Sequence, residues 1–132
     1  MALTSTAHSD ATYALNVKNK KISHWISKIR LSNFRNYREV DLEIQKAPVI
    51  LIGKNGSGKT NLLEAVSLLA PGRGLRRAGK DEFFYKGLVD SSSNSNRWAL
   101  SADLITDNTC WNIGSGISED GSKRIIKINE QR

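Results

Sequence analysis

The chain has 132 residues, room for one domain with a modest core and too little for a second independent one. Hydrophobic residues at 39% and charged residues at 25% suit a soluble globular protein; no apolar run reaches the ~18 residues that cross a bilayer, and the N-terminal stretch lacks the apolar core of an export signal. Twenty lysines and arginines against thirteen acidic residues leave a charge of +7, a field that attracts polyanions, nucleic acid first, although many small basic domains have no such partner.

Residues 1–24 are polar and aperiodic and are expected to be a flexible tail, with Lys18, Lys20 and Lys21 at its basic end. Order is predicted from Trp25 onward. Residues 25–31 are rich in β-formers, and Val40-Asp41-Leu42-Glu43-Ile44 alternates apolar with acidic, so the two are expected to pair as antiparallel strands. After Pro48, the wholly apolar Val49-Ile50-Leu51-Ile52 reads as a strand covered on both faces. From Thr60 the period becomes helical: Leu62, Leu63, Val66 and Leu69 are expected to share the buried face and Glu64 to lie off it, with Pro71-Gly72 as the stop. Residues 73–80 form a basic loop, 81–88 a short helix or turn, and 91–96 a Ser/Asn connector. Three strands, 98–106, 110–117 and 124–128, separated by Asp107-Asn108 and Asp120-Gly121, read as a β-meander. Trp98 and Trp111 fall on these strands and are expected to be core or cross-strand residues. His8, His24 and Cys110 have no metal-ligand spacing, and a lone cysteine fits a reducing compartment, so the cytoplasm is the expected location.

Gly53-Lys54-Asn55-Gly56-Ser57-Gly58-Lys59-Thr60 satisfies G-x-x-x-x-G-K-[ST], between an apolar run and a helix. A triphosphate needs many donors converging on a small volume, and backbone amides supply them only where the chain wraps tightly, at φ angles that favour glycine. The helix that follows turns its unpaired N-terminal amides and dipole toward the same anion. Lys59 is expected to reach the β- and γ-phosphates of ATP, and the Thr60 hydroxyl to ligate Mg²⁺.

Three segments in order carry a resemblance. Asn55-Gly56-Ser57-Gly58-Lys59-Thr60-Asn61-Leu62-Leu63-Glu64-Ala65 is similar to the N-G-S-G-K-T-N-[LI]-L-E-A form of ABC-type and SMC-like DNA-repair ATPases. Leu31-Ser32-Asn33-Phe34-Arg35-Asn36-Tyr37 and Leu68-Leu69-Ala70-Pro71-Gly72-Arg73-Gly74-Leu75-Arg76-Arg77-Ala78 resemble the L-x-x-F-R-N-Y and L-L-S-P-G-R-G-L-R-R-A segments of the RecF family. The resemblance implies an α/β P-loop NTPase of the ABC/SMC-head type, here an N-terminal lobe over 25–132 with a mixed sheet and an antiparallel meander. It further implies an ATP-dependent DNA-binding protein of replication and recombinational repair, engaging single-stranded or gapped DNA, linked to DNA damage and the SOS response. Recombination mediator proteins and an ATP-dependent homodimer are the implied partners. Arg35 and Asn36, with Phe34, fall where related heads contact base and ribose. Arg73, Arg76 and Arg77, with Lys80, are implied as contacts to DNA or phosphate, against the alternative of a solvated basic loop.

Family members also carry an apolar strand ending in catalytic acids and a signature loop, in a C-terminal part. Neither is found here: Asp81-Glu82 follows a polar loop and Asp103 sits within an alternating strand. The lobe is therefore expected to be truncated, with no catalytic residue of its own and with ATPase activity belonging to a longer protein. Two alternatives stand beside this reading: another ABC/SMC-like ATPase with a protein partner in place of DNA, and a catalytically silent nucleotide-binding fragment.

Overall fold

The computed structural model describes residues 22–87, 97–107 and 109–131. The expected tail up to residue 21, the connector 91–96 and Asn108 lie outside them. The elements are β1 (His24–Phe34), β2 (Tyr37–Glu43), α1 (Lys59–Ser67), a 3₁₀ turn (Lys80–Phe83), β3 (Ala99–Thr106), β4 (Thr109–Ile117) and β5 (Arg124–Gln131). The strands form one sheet in the order β2-β1-β3-β4-β5, antiparallel at every step.

The alternation read in β1 and β2 sets their register. Ile29 pairs with Leu42 on one side and Ala102 on the other, and Leu31 with Val40 and Leu100. Because side chains alternate across a strand, Ile29, Leu31, Leu100 and Ala102 all enter the same face, where they are buried. Helix α1 covers that face with Leu62 and Ala65, joined by Leu68 at its C-cap. At one end Phe34 stacks on Phe83 at 5.6 Å, and Trp98 packs edge-on against both at 5.7 and 5.3 Å. Offset and edge-to-face packing of this kind adds about 0.5–1.5 kcal/mol per pair beyond area burial. It ties the end of β1, the 3₁₀ turn and the start of β3 together.

Residues of opposite parity carry charge. Lys28 Nζ lies 3.0 Å from Asp41 and 3.6 Å from Glu43, and Arg30 donates to Asp103 at 2.9 Å. Asn112, opposite Asp103 in the ladder, donates to its second oxygen at 2.8 Å. The Arg30 hydrogen bond holds the Asp103 carboxyl below its usual range, with Asn112 adding to it against the cost of burial. A depressed folded pKa stabilises fully above the ordinary carboxylate range, and that stabilisation is lost as pH falls through the folded value. Asp103→Asn is therefore expected to cost about 1–2 kcal/mol at neutral pH, allowing for the partial exposure of Arg30. It should also flatten the acid limb of a urea-denaturation series against pH; an unchanged acid limb would count against this assignment.

Two expectations change. The run at 49–52 forms no strand, and Ile50 and Ile52 are 77% and 86% exposed. Apolar composition predicts burial only where a neighbour covers it, and no described strand pairs with this segment. The sheet is accordingly antiparallel throughout, and 49–52 leads into the loop before α1 without regular structure. In the helix, Leu63 is exposed, while Leu62, Glu64 and Ala65 are buried. The buried face is turned toward Glu64 because the charge of Glu64 is met by a partner 29 residues away in sequence.

Candidate functional site

Residues 53–58 fold into a tight loop at the N-terminus of α1. The amide of Ser57 donates to the Lys54 carbonyl at 3.1 Å, and Leu62 N–H to the Gly58 carbonyl at 3.0 Å, the first turn of the helix. Gly58, at φ 100° and ψ 0°, is the N-cap and provides no side-chain cap. An α-helix leaves its first amides without intrahelical acceptors, so those of this turn face the loop. Lys59 folds back across the loop, its Nζ donating to the carbonyls of Gly53 at 2.6 Å and Lys54 at 2.8 Å. One ammonium group and a row of helix amides thus meet at the same end of α1, a donor set suited to phosphate oxygens. Thr60 is exposed at the second position of α1, and Lys54, Asn55 and Gly56 are exposed on the loop.

Behind the loop lies the β1–β2 turn. A Cβ on Gly58 would sit 2.5 Å from Asn36 Nδ2 and 2.6 Å from Tyr37 Oη, so turn and loop touch directly. Asn36 accepts from Asn61 Nδ2 at 2.8 Å, and Asn61 accepts from Arg76 at 3.2 Å. Arg35, at φ 55°, directs its guanidinium to Glu64, donating from Nε and Nη2 to the two carboxylate oxygens at 3.0 Å each. The same guanidinium lies over the Phe83 ring at 5.2 Å, and Arg76 Nη1 stands 3.8 Å from Glu64. Glu64 is fully buried and Arg35 is 11% exposed. Planar two-point pairing of this kind is strong and orientation-specific. It fixes the β1–β2 turn, α1 and the 73–79 loop relative to the phosphate-suited loop.

Of the residues singled out from sequence, the structure brings Asn36 to the loop and links it through Asn61 to Arg76. Arg35 lines the adjoining open cavity of about 560 Å³, together with Asn36, Asn61, Arg76 and Lys86. Phe34 is core. The three arginines of the basic loop separate: Arg76 turns to Asn61 and Glu64, whereas Arg73 and Arg77 line a second cleft with Arg124. Glu64, Asn61, Tyr37 and Arg124 were not anticipated. The one available signal was an acid placed among Leu62, Leu63, Ala65 and Val66, which in a helix that packs on a sheet demands a cation.

Comparisons with known proteins place the chain in a family. Residues 25–132 match the model of the RecF/RecN/SMC N terminal domain. A DNA replication and repair protein RecF of Rhizobium rhizogenes is 41% identical over 107 residues, covering 80% of this chain and 27% of that protein. The chain therefore spans about a quarter of the length of such relatives. Among solved structures, the recombination mediator protein RecF with ATP superposes with a TM-score of 0.68 at 26% identity, covering 83% of this chain and 29% of that one. A structure from a study of ATP-driven dimerization and DNA stimulated activation of SMC ATPases gives a TM-score of 0.59 at 21% identity over 82% of this chain and 72% of its own, a likeness of fold. No helix among the described residues is long and apolar enough to cross a membrane. The chain belongs to the RecF/RecN/SMC N terminal domain family.

Proposed function

We propose that this chain is the nucleotide-binding part of a RecF-type DNA replication and repair ATPase, taking Mg-ATP at residues 53–60 and engaging DNA. The observation that carries the reading is the convergence of the Lys59 ammonium with the uncapped amides at the start of α1. In this assignment the backbone of 53–60 and Lys59 hold the phosphates, and Thr60 supplies a hydroxyl to Mg²⁺. Asn36 and Arg35, beside the polar cavity, contact ribose and base. Bound ATP would supply the phosphate charge, and the backbone of 53–60 with Lys59 would bind and orient it. The basic surface engages DNA, with single-stranded or gapped DNA as the preferred form, in the cytoplasm and as part of the response to DNA damage. Turnover, an ATP-dependent homodimer and mediator-protein partners belong to this proposal at the level of the longer protein.

Lys59→Ala tests it. Removal of one charged donor to phosphate is worth about 1.5–3 kcal/mol, so Mg-ATP affinity measured by calorimetry is expected to fall at least about tenfold. In the unaltered chain, Mg-ATP should shift the NMR amide signals of Gly56, Gly58 and Lys59. Equal affinity in the folded variant would remove the loop from nucleotide binding.

A further inference from the structure

A second cleft lies between the 72–79 loop and the start of β5. It has a volume of about 420 Å³ and is lined by Arg73, Arg77, Gly79, Phe83 and Arg124, with Gly72 at its rim. It shares no lining residue with the cavity beside the P-loop.

The three guanidiniums of this cleft differ from those of Arg30, Arg35 and Arg76, which have carboxylate partners. Arg30 is paired with Asp103, and Arg35 and Arg76 with Glu64. Among the described residues, none of Arg73, Arg77 and Arg124 is paired with a carboxylate; Arg124 makes one hydrogen bond, to the Ala70 carbonyl at 3.2 Å. Burial lowers the Arg124 pKa, the sign of a cation that has lost water without gaining an anion. Arg77 also holds the left-handed conformation, φ 52°, which non-glycine residues rarely adopt. Three like charges gathered in one cleft repel one another unless an anion joins them. Guanidinium groups match phosphate oxygens in planar, two-point fashion. An open cleft at the edge of a basic protein suits an anion that recurs along a chain rather than an enclosed mononucleotide.

We propose that Arg73, Arg77 and Arg124 form a phosphodiester subsite for the backbone of DNA, separate from the nucleotide loop. It rests on the DNA-binding reading above. Arg124, at the start of β5, is its fixed member, and Arg73 and Arg77 are presented by the loop.

The test is fluorescence anisotropy of a labelled gapped DNA duplex titrated with the chain across a series of KCl concentrations. Each phosphate contact contributes about 0.9 to the slope of log K against log[salt]. The Arg73→Gln/Arg77→Gln/Arg124→Gln variant is expected to lose about 2.7 of that slope, and Arg124→Gln alone about 0.9. Arg124→Lys should keep the slope, and Mg-ATP affinity should stay within about twofold throughout. If circular dichroism shows that Arg124→Gln fails to fold, the Arg73→Gln/Arg77→Gln pair on the exposed loop reads the same quantity, with a loss of about 1.8. Failure of the unaltered chain to bind DNA would overturn the DNA reading and the subsite together. DNA binding with an unchanged slope in the variants would overturn the subsite alone. Loss of inorganic phosphate or ATP binding with DNA binding intact would assign the cleft to a small anion and overturn the proposal as well.

Discussion

Glu64→Gln is expected to destabilise the chain by about 3–5 kcal/mol, the cost of breaking a buried ion pair from one side. Glu64 is fully buried on α1 and accepts two hydrogen bonds from Arg35, with Arg76 at 3.8 Å. Glutamine has the same shape, yet it supplies one acceptor in place of two and turns an NH₂ group toward a guanidinium. Arg35 cannot escape to water easily, since its amide donates to the Phe83 carbonyl at 2.8 Å and its side chain lies over the Phe83 ring. A small domain with a stability of about 5–15 kcal/mol would lose a large share of it. Chemical denaturation of the variant checks this, and a loss below about 1 kcal/mol would show that the pair is dispensable. The double variant Glu64→Leu/Arg35→Met separates pairing from packing: replacing both charges with apolar groups is often neutral or better, so the double variant should be more stable than Glu64→Gln.

This pair also marks what could be read from the sequence. Most strands and the P-loop helix follow from local rules, because alternation in 40–44 and the glycine spacing of 53–58 each act within a few residues; Asp120-Gly121 marks the β4–β5 connection, which is the longer loop 118–123 and not a two-residue turn. The face of the helix does not. Counting apolar positions places Leu63 inward and Glu64 outward; the structure does the reverse, because Arg35 of a distant turn supplies the missing charge. The run at 49–52 misleads for a related reason: hydrophobicity states that a segment prefers burial, and only the topology states whether a neighbour exists to bury it. Arg73, Arg76 and Arg77 look equivalent in a basic loop. Their partners divide them, Arg76 toward Glu64 and the other two toward Arg124, which enters from β5 nearly fifty residues later. Local chemistry identifies the phosphate loop, and long-range charge pairing decides what surrounds it.

Gly58→Ala is the second large effect. Gly58 is at φ 100° as the N-cap of α1, and the added methyl would lie 2.5 Å from Asn36 Nδ2 and 2.6 Å from Tyr37 Oη. The backbone conformation alone costs an alanine about 1–3 kcal/mol. The overlap adds to this, because Tyr37 is buried and Asn36 can yield only by giving up its 2.8 Å hydrogen bond with Asn61. Gly56 provides the control: it too has positive φ, 81°, yet its methyl would meet nothing within 4 Å. Gly58→Ala is therefore expected to lower the denaturation midpoint more than Gly56→Ala does, and to weaken Mg-ATP binding at least about tenfold by displacing the first amides of the helix. Adding Asn36→Ala and Tyr37→Phe to Gly58→Ala removes the two nearest atoms and leaves Tyr37 Cζ at 2.9 Å together with the backbone strain, so stability should recover in part toward that of Gly56→Ala. No recovery would mean that the turn and the loop are not in the contact described, and that the β1–β2 turn plays no part in shaping the phosphate site.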